Sequence, residues 1–408
     1  MLTVPRRRIF LPKGIFRNLI NFAIKNELIE GKYIREFEDK FATYIGVRYA
    51  ISISSGTAAL SLILESLPLK RGDEIILPAY TFLSVPTCIK EMGFMPHFVD
   101  IDYHTDNIDI SELKKAINHK TRLIIATHLF GRPCDIEAII QIAKKNKLFI
   151  IEDCAHAIGS EYKGRKVGTF GDVAFFSFSL TKPFNTFNGG MIVGNNLELM
   201  NKIRQKIEGI PNLPQRFLLR NMCIGYILYF LSKPGIFTFT IYPILLLLSF
   251  ADKDIVNTYN RIFKKLIFFE TKRFKLSNLQ AFIGTKILQF YDQLSFEKVN
   301  KIMLFNELCK NENINIFEQQ DRRAYGKIFH YFFIIKHPMK DIISKHLLWR
   351  GIDSGKHLMS NCGELFNGTN VYLNTRAATR NSLQIPIEYC NQRKIYSIIK
   401  VIKKYMAI

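Results

Sequence analysis

The fold turns on residues 147–160, KLFIIEDCAHAIGS. The run Leu148, Phe149, Ile150, Ile151 has no polar residue alternating with the apolar ones, so it reads as a strand buried on both faces. It ends on two acids, Glu152 and Asp153. Before it stands DIEAIIQIAKKN (135–146), apolar at helical spacing. A helix followed by a doubly buried strand is half of a βαβ unit, and the alternation continues on both sides. YAISIS (49–54) precedes GTAALSLILESL (56–67), DEIILPA (73–79) precedes TFLSVPTCIKEMG (81–93), and MPHFVDID (95–102) precedes DISELKKAI (109–117). TRLIIATHLFG (121–131) leads into the helix already quoted, and VAFFSFS (173–179) and GGMIVG (189–194) follow. Such a series predicts an α/β fold with a mostly parallel sheet. Ligands of these sheets gather outside the carboxyl ends of the strands.

From about residue 270 the texture changes. SNLQAFIGTKILQFYDQL (277–294) predicts a linking helix, and HYFFIIK (330–336) a strand. KDIISKHLLWRGI (340–352) and RKIYSIIKVIKKYMAI (393–408) predict helices of a smaller α+β part. The expected division is residues 1–210 for the N-terminal segment and large domain, 211–265 for an apolar insertion, and 266–408 for the linking helix and small domain.

The chain has 408 residues, a formal charge of +22 and seven cysteines, with no pair at zinc-like spacing. An odd, scattered set suits a reducing compartment better than a disulfide framework or a metal centre. The basic N-terminus has neither the long apolar core nor the cleavage site of a signal peptide. The charge fits an anionic membrane surface or a phosphorylated substrate. Nucleic acid is disfavoured, since no helix-turn-helix, zinc-finger or RNP pattern is present.

Four chemical features follow predicted strands. Lys182, at the end of FFSFSLTK (175–182), could be a desolvated amine nucleophile rather than a surface lysine. Asp153 needs a positive partner if buried, and a protonated pyridine nitrogen is one. His156, a turn further on, could stack on or hydrogen-bond to a ring. Ser54, Ser55, Gly56 and Thr57 open a helix, where free N–H groups and hydroxyls bind phosphate. Phe82 could stack on a planar group. Each alone also reads as ordinary structure: a solvated lysine, a helix cap, a core aromatic. Together on one sheet edge they supply the parts that hold pyridoxal phosphate.

In this order and spacing the segments resemble the DegT/DnrJ/EryC1/StrS sugar aminotransferases, which are fold-type I pyridoxal phosphate enzymes with a seven-stranded sheet. GKYIREFEDKFATYIGVRYAISISSGTAAL (31–60), EDCAHAIGSEYKGRKVGTFGDVAFFSFSLTK (152–182), KLSNLQAFIGTKIL (275–288), RGIDSGKHL (350–358) and SLQIPI (382–387) carry the likeness. The resemblance implies that Lys182 bears the cofactor and shuttles the proton, that Asp153 pairs with the pyridine nitrogen, and that His156 lies near the ring. It implies that Gly56, Thr57 and Ser177 cradle the phosphate and that Phe82 stacks. It further implies a homodimer, glutamate as amino donor, and a nucleotide-linked keto sugar used in surface glycan or lipopolysaccharide synthesis. Two positions depart from the pattern. Arg273 stands where the partner subunit usually supplies an asparagine to the phosphate, and is expected to bind that phosphate by charge instead; His357-Leu358 replaces a His-Tyr pair. Relatives with histidine in place of the lysine dehydrate sugars, so Lys182 favours transamination over a dehydratase. A cofactor-free, membrane-associated scaffold or regulator of glycan assembly is the reading from a different class.

Residues 216–254 hold two uncharged apolar runs around Lys233, Pro234 and Gly235. Each is near or below the roughly 18–20 residues of a spanning helix. A buried hairpin at a subunit interface, a hairpin resting on a membrane, and a double span compete. Flanking Arg216, Arg220, Lys253, Arg261, Lys264 and Lys265 suit anionic headgroups. The expected location is cytoplasmic, with the inner face of the cytoplasmic membrane as its peripheral variant.

Overall fold

The structure is a computed structural model that describes residues 2–12, 14–250, 273–314, 327–356, 358–368 and 370–406. Seven strands form the main sheet: β1 (Tyr49–Ile53), β2 (Glu74–Pro78), β3 (Met95–Val99), β4 (Thr121–Thr127), β5 (Phe149–Asp153), β6 (Val173–Ser177) and β7 (Gly190–Gly194). Their order is β1-β7-β6-β5-β4-β2-β3. Pairings from β3 across to β6 are parallel, and β7 runs antiparallel to both β6 and β1. The predicted mostly parallel, seven-stranded α/β architecture is therefore what forms.

Register sets the functional edge. Thr127 pairs with Asp153, Asp153 with Phe175, Ser177 with Gly190, and Gly190 with Ile53. The carboxyl ends of β1, β4, β5 and β6 thus lie side by side. Alternation sends consecutive residues to opposite faces. Phe175 joins Ile53, Ile151 and Ile192 under helices α3 (Gly56–Ser66) and α7 (Leu197–Glu208), whereas Phe176 joins Ala174 and Met191 on the other face. There they meet α2 (Tyr33–Ile45), α8 (Gln215–Leu231) and α11 (Asn278–Leu288).

The segment expected to be one linking helix is two. α11 stops at Leu288 and α12 (Tyr291–Asn311) starts after a tight turn in which Phe290 N–H donates to Ile287 O. Beyond it, β8 (Phe333–Lys336) and β9 (Ser382–Ile385) pair antiparallel and pack against α12, α13 (Lys340–Trp349) and α14 (Gln392–Met406). The N-terminal residues join this part. Val4 N–H donates to Gly351 O, Asp353 N–H donates to Val4 O, and the buried Arg6 and Asp353 form an ion pair.

The apolar insertion forms α8, α9 (Pro234–Phe239) and α10 (Ile241–Phe250). Among the described residues no helix is long and apolar enough to cross a membrane, so the double span does not form there. α8 buries one face in the main core: Leu218, Met222 and Leu228 are buried, and Gly225 lies against the Phe187 ring, while Leu219, Ile227 and Phe230 are exposed. α9 and α10 bury Phe237 and Leu245 on Leu348 of α13, and Tyr242 donates its hydroxyl hydrogen to Leu348 O. Lys253, Arg261, Lys264 and Lys265 lie outside the described residues.

Candidate active site

Asp153 closes β5 and is 6 % exposed. Its Oδ1 accepts the Ala155 N–H at 3.0 Å, as expected of a turn leaving a strand. Burial raises its pKa, against the opposing pull of that N–H and of Lys182. The carboxylate therefore still lacks positive charge, which a cationic ring nitrogen would supply.

Lys182 follows β6 in a turn where its own N–H donates to Ser179 O. Its Nζ stands 4.6 Å from the centroid of the Tyr331 ring. Burial lowers the amine to about 7; Asp153 acts in the opposite sense and Arg7 adds to the lowering. The lysine is thus a desolvated amine, neutral in good part near pH 7, and not a solvated surface cation.

His156 lies 4.4 Å, centroid to centroid, from Tyr331 and stacks on Phe130 at 5.9 Å. Its Nδ1 accepts the Phe130 N–H at 3.3 Å, so the neutral ring carries its proton on Nε2. Burial holds its pKa well below the usual histidine range, with Lys182 and Arg7 adding to the effect.

Across the edge, α3 begins at Gly56 with Ser55 as its cap, the Ser55 hydroxyl accepting the Ala58 N–H. The first N–H groups of a helix have no acceptor within it, and here they belong to Gly56 and Thr57. A Cβ at Gly56 would come within 2.9 Å of the Ser177 Cβ, and one at Gly190 within 2.5 Å of Ser55 O. Glycine at both places lets the helix start press against the ends of β6 and β7. Thr57 Oγ1 lies 3.2 Å from Ser84 Oγ. Phe82, after β2, is 51 % exposed at this edge.

Of the residues singled out in the sequence, Lys182, Asp153 and His156 converge, with Gly56, Thr57 and Ser177 forming a cradle. Arg273 is placed otherwise. Its guanidinium holds Glu65 in a bidentate ion pair at 2.6 and 2.8 Å, so within the chain it does not serve the cradle. The cause is local: Glu65 lies near the far end of α3 from Gly56, and charge pairing with a fork-shaped guanidinium wins there. His357 lies outside the described residues.

Two residues of the site carried no sequence signal of their own. Tyr331 arrives through a hydrogen bond from its N–H to Phe130 O, and its hydroxyl donates to Thr181 O. Arg7 comes from the irregular N-terminal segment. Glu152 faces away from the site. It accepts from His128 Nε2 at 3.0 Å and from the N–H groups of Gly168, Phe170 and Gly171. His128, Glu152 and Cys154 have ligand atoms within 4.8 Å of one another. Those hydrogen bonds account for both Glu152 oxygens, so the trio reads as a brace under Asp153.

The chemistry of these donors fits pyridoxal phosphate: a half-buried amine, a carboxylate short of a cation, a cradle of N–H and hydroxyl groups, and an exposed aromatic. Comparison with known proteins agrees. The DegT/DnrJ/EryC1/StrS aminotransferase family profile matches residues 13–227, and the chain belongs to that family. It is similar to GDP-perosamine synthase of Escherichia coli O157:H7, 46 % identical over 173 residues, which are 42 % of this chain and 48 % of that one. It is also similar to spore coat polysaccharide biosynthesis protein SpsC of Bacillus subtilis, 40 % identical over 43 % of this chain and 46 % of that one. The chain thus spans about half the length of the curated relatives it matches. Over its whole length it shares the fold of Helicobacter pylori PseC, an aminotransferase of pseudoaminic acid biosynthesis, with TM-score 0.75 and 20 % identity, covering 100 % of both chains. The Psychrobacter cryohalolentis aminotransferase is similar at TM-score 0.76 and 20 % identity, with 98 % of each chain covered.

Proposed function

We propose that the chain transfers an amino group from an amino acid, glutamate, to a keto sugar carried on a nucleotide, as a step in surface glycan synthesis. The observation that carries this is the half-buried, neutral-leaning Lys182 amine interacting electrostatically with the cation-seeking Asp153, with the α3 start against Ser177 on the same sheet edge. Relatives named GDP-perosamine synthase and dTDP-3-amino-3,6-dideoxy-alpha-D-galactopyranose transaminase support the substrate class.

Gly56, Thr57 and Ser177 would hold the phosphate of pyridoxal phosphate, Asp153 its ring nitrogen, Phe82 a face of the ring, and Lys182 its covalent link. When bound, the cofactor supplies an electron sink that stores the amino group between donor and acceptor. Lys182 Nζ, once released, takes the proton from the donor α-carbon as general base and later returns one as acid; a pKa near 7 suits both duties. His156 would offer its Nε2–H as a neutral donor to the bound cofactor. Tyr331 covers the amine and keeps water from it. The test is the visible spectrum before and after glutamate, then borohydride reduction and peptide mapping. A yellow absorbance that glutamate shifts, with the label on Lys182, is expected. A colourless protein left unlabelled in excess pyridoxal phosphate would overturn the reading.

We further propose that the enzyme works as a homodimer in the cytoplasm and rests on the membrane's anionic inner face through α9 and α10. Their outer side exposes Phe239, Ile244, Leu247 and Phe250. Phe250 stacks on Trp349, the sole tryptophan, which is itself 46 % exposed and has Lys345 over its ring. Exposed aromatic and aliphatic side chains among lysines suit a headgroup boundary. Cosedimentation with vesicles containing phosphatidylglycerol, lost on Leu247→Ser with Phe250→Ser, is expected. Equal recovery in the supernatant with and without such vesicles would refute it.

A further inference from the structure

Three consecutive arginines have three different fates. Arg6 is locked by Asp353, its Nε donating to Oδ2 at 2.8 Å inside the protein. Arg8 lies over the Tyr389 ring, 5.0 Å from its centroid, and reaches Tyr389 O. Arg7, beyond a bend at Arg6, lies with its guanidinium carbon 4.9 Å from the Phe332 centroid. Among the described residues it has no carboxylate, and its buried Nε has no hydrogen-bond partner.

The ring below Arg7 connects it to the reacting amine. Phe332 stacks on Tyr331 at 3.9 Å, and Tyr331 carries Lys182 Nζ on its ring. His156 touches both rings, at 4.4 and 6.5 Å. Arg7 and Lys182 are thus the two ends of one aromatic platform. The Arg7 charge disfavours a proton on Lys182 in this site of low polarity, and an anion arriving between them gains from the guanidinium. A guanidinium presents a planar fork that fits carboxylate and phosphate oxygens. Asp353 fixes Arg6 and so sets the position of Arg7 before any ligand arrives.

We propose that Arg7 is an oxyanion-binding residue of the substrate site, holding a carboxylate or phosphate oxygen of the bound substrate next to Lys182. This rests on the transaminase reading, which provides two sources: the carboxylates of the amino donor and the diphosphate of the sugar carrier.

The test is calorimetric titration of the purified holoenzyme with glutarate, an unreactive dicarboxylate, and separately with GDP and UDP. Arg7→Met should weaken one class of probe by about tenfold or more, and Arg7→Lys should weaken it less. Loss confined to glutarate assigns the donor carboxylate; loss confined to the nucleotides assigns the diphosphate. In cofactor-free protein, the pH midpoint for modification of Lys182 by an amine reagent should rise in Arg7→Met and stay in Arg7→Lys. Should Arg7→Met fail to fold, Arg7→Gln carries the same comparison. Affinities for all probes within about twofold of wild type, with an unmoved midpoint, would overturn the inference while cofactor binding at Lys182 stands. Wild-type protein that takes no cofactor, yet loses probe affinity on Arg7→Met, would overturn the transaminase reading instead.

Discussion

At the scale of single residues, Lys182 is governed by three fields of different sign. Burial and Arg7 push its proton off, and Asp153 retains it. In cofactor-free protein, labelling of Lys182 by an amine reagent should therefore be half-maximal near pH 7, read by mass spectrometry against pH. Asp153→Asn removes the one retaining charge, so its midpoint should fall further. The same shift has a stability consequence. Between about 7 and the ordinary 10.5 the unfolded chain binds a proton that the native lysine lacks, so this group makes stability rise with pH over that window. A midpoint near 10 would show the amine to be solvated. Lys182, Asp153 and the helix-opening glycine were legible because each ends or follows a strand, and local pattern places it at the sheet edge. Tyr331 and Arg7 were not. They belong to segments remote in sequence, and only the packing of the C-terminal part against the loop after β4 brings them in.

At the scale of elements, the insertion divides by face. α8 presents Gly225 to the Phe187 ring, where a Cβ would come within 2.4 Å. Gly225→Leu should cost about 1–3 kcal/mol in denaturant unfolding, through overpacking. Leu247 on α10 is 71 % exposed, and Leu247→Ser should change stability by no more than about 0.5 kcal/mol. Equal costs would mean that the two helices are equally buried. Composition could not separate these cases, because both helices are apolar and uncharged over long runs. A hydrophobic run states that burial is favourable, and not against what.

At the scale of the whole molecule, Glu152 ties the sheet to the loop that carries Gly168 through Gly171 and, by His128, to the end of β4. Burial acts to raise its pKa, and the His128 bond with the backbone N–H groups outweighs it, leaving the pKa lowered. A carboxyl lowered on folding contributes stability above its unfolded pKa and loses it as pH falls through the folded value. Glu152→Gln should thus cost about 3 kcal/mol or more at neutral pH and flatten the acid limb of a stability–pH curve. An acid limb unchanged in the variant would rule the brace out.

By itself the sequence determined the α/β class, the seven strands and the cradle, amine and acid at their ends. Doubly buried strands, helical periodicity and strand-end chemistry are local properties, and local pattern encodes them. Only the tertiary structure decided that Arg273 pairs with Glu65, that one face of α8 joins the main core while α10 leaves Leu247 and Phe250 exposed, and that Arg7 stands over the platform shared with Lys182. Each of those depends on which distant surface a side chain meets. Burial and charge pairing are settled by neighbours in space, which lie up to hundreds of residues away along the chain.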